Sequence, residues 1–149
     1  MKRPVELYIL WFWMFFLALN GIMGGGMLML KPDGSLLQMQ PNWLDQTPFP
    51  NFFVPGLFLF LLNGIFPAAT LWGLISKKQV VIFNALNPLK DKHWSWSFTA
   101  YSGIITISWI IIQQLITDYF VLQTIITAVG LINLMLVLMP RIQKFYSIK

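Results

Sequence analysis

The chain has no cysteine. Disulfides, thiol redox chemistry and thiolate metal sites are therefore excluded, as is any quinone-reducing enzyme that works through paired cysteines. Charge is scarce as well: 10% of residues are Asp, Glu, Lys or Arg, against about a quarter in ordinary soluble domains. Histidine occurs once, at His93, so a metal site built on it has no visible partner ligands. Nucleophile elbow, phosphate loop, metal-binding helix motif and catalytic carboxylate pair are all missing. No catalytic residue, metal ligand or cofactor is assigned.

What fills the chain instead is apolar. Hydrophobic residues make up 57% of 149 positions, a length that suits one domain. A soluble domain of this size cannot hide that much apolar surface, whereas a bilayer replaces water around the outer faces of its helices. Four uncharged stretches stand out, about 7–30, 54–76, 94–116 and 119–139, the last stopping at Pro140. They predict an all-α, polytopic membrane protein: a single transmembrane domain folded as an antiparallel four-transmembrane-helix bundle. The outer loop is 31–53 and the inner loop 77–93, while Thr117 and Asp118 leave so little chain that spans three and four must be antiparallel neighbours.

The net charge of +5 invites a nucleic-acid partner, but the charges sit at the ends of the apolar stretches, where they set orientation. Lys2, Arg3, Lys77, Lys78, Lys90, Lys92, Arg141, Lys144 and Lys149 share one side, and only Lys31 falls on the other with Asp33, Asp45 and Asp118. The positive-inside rule then puts both termini in the cytoplasm. Met1-Lys2-Arg3 resembles a leader region, yet its apolar stretch is too long and lacks a clean small-x-small site, so a retained anchor is expected.

Two loop segments carry structure of their own. Pro32-Asp33-Gly34-Ser35 is a turn signal, and Asn42 to Asp45 reads as a short interfacial helical turn. In the inner loop, Val80 to Phe83 is too short to span and should dock at the interface.

No ionisable residue occupies the middle of a span, unlike in proton-coupled carriers and pumps. The polar inventory there is neutral. On the third span Ser95, Thr99, Ser102, Thr106, Trp109 and Gln113 recur at alternating spacings of four and three, which places them on one helix face. Such a seam is either packing glue between helices or a polar groove for a ligand. Asn20 and Asn63, in Leu19-Asn20-Gly21-Ile22 and Leu62-Asn63-Gly64-Ile65, share a depth on antiparallel helices, so a direct amide–amide contact is feasible. Pro67 has no N–H for the Asn63 carbonyl, which predicts a kink and a free acceptor beside that amide. Asn20, Asn63, Thr106, Trp109 and Gln113 are the candidate ligand-binding set.

Gly21 and Gly25 form a GxxxG pair for close helix approach, within the bundle or in a dimer. At the cytoplasmic face, Lys90, Lys92, His93, Trp94 and Trp96 combine cations with indoles. That combination fits an interfacial anchor or recognition of an anionic lipid headgroup.

The order Asn20-Gly21, Gly24–Gly26, Pro32-Asp33-Gly34-Ser35, Pro55-Gly56, Asn63-Gly64, Asn87-Pro88 and His93-Trp94-Ser95-Trp96 resembles small bacterial four-helix membrane proteins of unassigned function. The resemblance implies that fold and a bacterial inner membrane, and no activity. Three functions follow as expectations. The first is a non-catalytic membrane module binding lipid or a partner membrane protein. The second is a small carrier or channel for a neutral polar solute, as an oligomer built through Gly21 and Gly25. The third is a lipid-modifying or isomerising enzyme using His93, which as a lone acid/base group lacks oriented partners.

Overall fold

The computed structural model describes residues 3–148, apart from the side chain of Ile116. Lys2 and Lys149, two of the nine basic residues grouped on one side, lie outside the described residues. Among the latter every named element is helical, and the one extended pairing is an isolated bridge between Lys92 and Ser147.

Helix α1 (Val5–Leu30) is followed by two short 3-10 turns, Ser35–Leu37 and Pro41–Leu44. Then α2 (Phe53–Phe60) runs through a π-helical turn, Leu61–Ile65, into α3 (Phe66–Ser76). The remaining helices are α4 (Val81–Ala85), α5 (Trp94–Ile116), α6 (Val121–Val137) and α7 (Pro140–Phe145). Three helical segments, Val5–Leu30, Phe53–Ser76 and Trp94–Leu115, are long and apolar enough to cross a membrane. Their outward positions are apolar too: Phe12, Phe15, Leu57, Leu61, Ile104 and Ile111 all stand exposed. Soluble monomers rarely show apolar patches beyond a few hundred Å², so this surface is compatible with a membrane protein.

The fourth expected span is shorter than its sequence limits. α6 holds 17 residues, about 26 Å of helix, where 119–139 was expected. Phe120 is extended and caps the helix from outside it. At the other end Met139 is extended and Pro140 opens α7 as a first-turn residue, where a missing N–H leaves nothing unpaired. Pro140 therefore starts a helix as well as ending one.

Glycine sets the closest helix contact. A Cβ on Gly21 would overlap the Asn63 backbone, and one on Gly25 would lie 2.5 Å from Phe60 N and 2.6 Å from Gly56 O. As numbers rise along α1 they fall along its partner, so α1 and the α2–α3 helix cross antiparallel, backbone against backbone. Of the two contacts the GxxxG pair allows, the one made is within the chain, whose own second helix covers both glycines. Gly103 against Leu134 and Gly130 against Ile107 show the same antiparallel contact between α5 and α6.

Pro67 shapes the second helix through widening. The Phe66 N–H reaches back five residues to Leu61 O, so one extra residue is accommodated in the turn just before the proline. π-bulges of this kind recur at functional sites. Here the bulge carries Asn63 and Gly64, both buried.

Beyond α6 the chain folds back over the end that holds Arg3, Lys77, Lys78, Lys90, Lys92 and Arg141. His93 N donates to Tyr146 O at 2.8 Å and Ile148 N to Asp91 O at 2.7 Å, while Arg141 pairs with Glu6 at 2.7 Å. Beneath this closure Leu7, Leu10, Met14, Leu74, Trp96, Val137, Ile142 and Tyr146 form the larger apolar core. A smaller cluster, Leu17, Ile110, Ile126 and Val129, lies further along the helices.

Candidate functional site

A cleft of about 600 Å³ opens toward the other end of the helices, where the 31–53 loop lies. Asn20, Asn63 and Gln113 all line it, so three of the five candidate ligand-binding residues come together. α1 supplies Asn20, Gly21 and Gly24, the π-turn supplies Asn63, and α5 supplies Gln113. Most of the wall is apolar, from Leu17, Met23, Met27, Leu28, Leu59, Ile110 and Ile126. No charged side chain lines it.

The expected Asn20–Asn63 contact is not the bond the amides make. Asn20 Nδ2 donates to Phe16 O on its own helix at 2.8 Å. Asn63 Oδ1 accepts from Thr106 Oγ1 at 2.6 Å. Asn63 Nδ2 is buried and has no partner. The physical reason is the bulge: close backbone contact at Gly21 leaves no room for two side chains to meet there. An unpaired buried amide donor costs about 1–3 kcal/mol, and its residue lies at the cleft wall.

The polar face of α5 behaves as a seam along its length. Ser95, Thr99, Ser102 and Thr106 are fully buried. Thr99 turns its hydroxyl back to Ser95 O at 2.8 Å, and Thr106 makes the cross-helix bond to Asn63. Ser102 Oγ and Trp109 Nε1 are buried without partners, as are both amide atoms of Asn133 on α6. Trp109 does not line the cleft; its ring lies 6.0 Å from that of Phe58.

The loop closes the cleft from outside. Gly34 takes φ +79°, and Asp33 Oδ1 accepts from Ser35 N at 3.0 Å and from Ser35 Oγ at 2.7 Å. Phe52 is buried against Gly34. Beyond this turn, Trp43 stacks on Phe120 with centroids 5.4 Å apart and planes 9° from parallel. Leu37, Met39, Trp43 and Phe120 all face the cleft. Sequence reading missed Phe120 and Gln123, although Gln123, Gly130, Asn133 and Val137 recur at helical spacing on the buried face of α6.

The second candidate set lies elsewhere and does different work. His93, Trp94 and Trp96 were expected at a headgroup interface, but all three are buried. Trp94 Nε1 donates to Lys78 O at 2.9 Å and Trp96 Nε1 to Val137 O at 2.8 Å. Gly73 lacks a Cβ where the Trp94 ring packs. His93 caps α5: Nδ1 accepts from Ser95 N at 3.3 Å, leaving Nε2–H to donate to Lys78 O at 3.2 Å. With both nitrogens engaged, this imidazole holds a helix end. Burial pushes its pKa below the usual histidine range. Lys90 is exposed and bonded to Asn84 O at 2.6 Å, whereas the Lys92 side chain is only 14% exposed and pairs with Asp91 at 3.2 Å.

Among the described residues no group of three or more His, Cys, Asp or Glu is placed to hold a metal ion. The sequence matches no protein-family model, and comparison with curated proteins and with solved structures gave no match.

Proposed function

We propose that the protein is a non-catalytic integral membrane module that binds a lipid-class molecule with an uncharged, hydrogen-bonding head. In this reading α1, the α2–α3 helix, α5 and α6 make four antiparallel crossings of a bacterial inner membrane. Both termini are cytoplasmic, on the side of Arg3, Lys77, Lys78, Lys90, Lys92, Arg141 and Lys144. α6 is at the short end for a crossing, but Val121, Leu122, Leu131 and Met135 give it an exposed apolar face suited to lipid.

One observation carries the proposal: the unpaired Asn63 amide at the wall of an uncharged, mainly apolar cleft. An apolar body satisfies the Leu, Ile and Met walls, and a carbonyl or hydroxyl oxygen satisfies Asn63 Nδ2. A charged ligand would enter this site without a counter-ion, at a high desolvation cost. A carrier for a small polar solute is the rival. It needs a path to the far side, and the core of Leu7, Leu10, Met14, Leu74 and Tyr146 fills the way there.

Gly24 provides the test, since a Cβ there meets only Leu59 Cδ2, at 3.4 Å. Gly24→Leu should fill the cleft without moving a helix. Organic extracts of protein purified in mild detergent should contain a neutral lipophile with the wild type, and about tenfold less with Gly24→Leu or Asn63→Leu. Equal amounts in wild type and variants, or steady flux of a polar solute in proteoliposomes, would refute the assignment.

A further inference from the structure

A second cavity, of about 340 Å³, lies at the opposite, basic end and is lined by Arg3, Trp11, Leu74, Ile75, Lys77 and Phe145. Two cations converge there, and among the described residues no carboxylate lines it. Glu6, three positions from Arg3, is committed to Arg141. The Arg3 guanidinium carbon sits 5.5 Å from the centre of the Trp11 ring. Lys77 Nζ lies 3.4 Å from the centre of the Phe145 ring and donates to Phe145 O at 2.8 Å. Arg3 is thus held by one aromatic face, and Lys77 by aromatic faces and a backbone carbonyl, which orient them without neutralising them.

Both residues are exposed at the cavity, so an anion can reach them from outside. Partial burial, and then the nearby Arg3 charge, hold the Lys77 ammonium below the usual lysine range. Like charges that crowd into one partly enclosed space are stabilised by a shared counter-ion. The side chains also differ usefully: a guanidinium fork can bond two phosphate oxygens at once, and an ammonium adds a compact point charge. Leu74, Ile75 and Trp11 supply apolar wall beside them, suited to the glycerol and first acyl carbons of an amphiphile.

We infer that the cavity between Arg3 and Lys77 is a binding site for a phosphate ester, with the two cations clasping the phosphate over Trp11 and Phe145. Nothing in this inference depends on the amide-lined cleft, which lies at the other end of the helices and carries no charge. The site also departs from the Lys90/Lys92/His93 headgroup site expected from sequence, whose aromatic members are buried in the fold.

Native mass spectrometry in maltoside micelles, with phosphatidylglycerol or phosphatidylcholine added, tests it. Wild-type protein should retain phosphatidylglycerol in preference to phosphatidylcholine, and Arg3→Gln/Lys77→Gln should lower that retention about tenfold. Lys90→Gln/Lys92→Gln should stay within about twofold of wild type, because Lys90 is bonded to Asn84 O, Lys92 is paired with Asp91, and neither lines the cavity. Lys77→Arg keeps the charge and should retain the lipid, which separates loss of the site from loss of the fold. Adding millimolar inorganic phosphate then distinguishes the source. Displacement of the lipid supports a soluble phosphate ester, and persistence supports a lipid headgroup. Equal retention by Arg3→Gln/Lys77→Gln and wild type, or equal loss in the Lys90/Lys92 pair, overturns the inference.

Discussion

The two ends of the helix assembly obey opposite packing rules. In the first turn of α5 and the segments that close over it, buried polar groups are bonded: Trp94 to Lys78 O, Trp96 to Val137 O, Tyr146 Oη to Leu74 O at 2.7 Å, and Ser97 Oγ to Asn87 Oδ1 at 2.6 Å. Asn87 Nδ2 additionally reaches Leu89 O and Lys92 O, so one side chain fixes the whole 87–92 turn. Toward the 31–53 loop the interior is looser, with a cleft of about 600 Å³ and an unpaired Asn63 amide on its wall. Satisfied hydrogen bonds rigidify a region, whereas unsatisfied donors beside free space suit a ligand. The bonded 87–97 region is built to stay closed, the Arg3/Lys77 cavity lies beside it at the surface, and the interior at the loop end is left open.

The same residue type should therefore cost very different amounts at the two ends. Trp94→Ala removes a fully buried indole and its bond, and should destabilise the fold by about 3–5 kcal/mol. Trp43→Ala removes one half-exposed stacking partner and should cost about 1 kcal/mol. Equilibrium unfolding in mixed micelles measures both, and equal losses would erase the contrast between the ends.

Between these regions the Gly21 contact decides whether the helices can approach at all. Gly21→Ala must push apart two backbones and should cost about 3 kcal/mol. Gly26→Ala, where an added Cβ meets nothing within 4 Å, should be neutral or slightly stabilising because alanine favours helix. The same unfolding assay compares them; similar stabilities would mean that α1 and α2 do not pack as described.

A smaller effect sharpens the picture of the basic end. Burial depresses the pKa of His93, so between its folded and unfolded values the unfolded chain binds more protons. Stability should then be full above about pH 6.5 and fall as the pH drops below it. His93→Asn keeps an N-cap acceptor and removes the only histidine, so its stability should be flat between about pH 5 and 7.5. A slope that persisted in the variant would assign the titration to another group.

Much of this was legible in the amino-acid order. Period and charge placement located the helices, because a long uncharged stretch has one inexpensive solvent and a seam at spacings of three and four has one face. Asn20, Asn63 and Gln113 could be singled out for the same reason: few polar residues occur among so many apolar ones. The indoles at 94 and 96 misled, since a Trp beside Lys is equally suited to a headgroup layer or to a buried carbonyl. Which it meets depends on other segments of the chain, the Lys78 carbonyl for Trp94 and the Val137 carbonyl for Trp96. The pairing of Arg3 with Lys77 was invisible for the same reason.

By itself, then, the sequence determined the helical class, the apolar exterior and the neutrality of the interior, all of which follow from local composition and period. Tertiary structure alone decided which polar groups would find partners. That choice rests on how closely Gly21 lets two backbones approach, on the bulge before Pro67 that turns Asn63 toward Thr106, and on the C-terminal turn that seals one end. Each is a contact between segments distant along the chain, and local periodicity carries no record of such contacts.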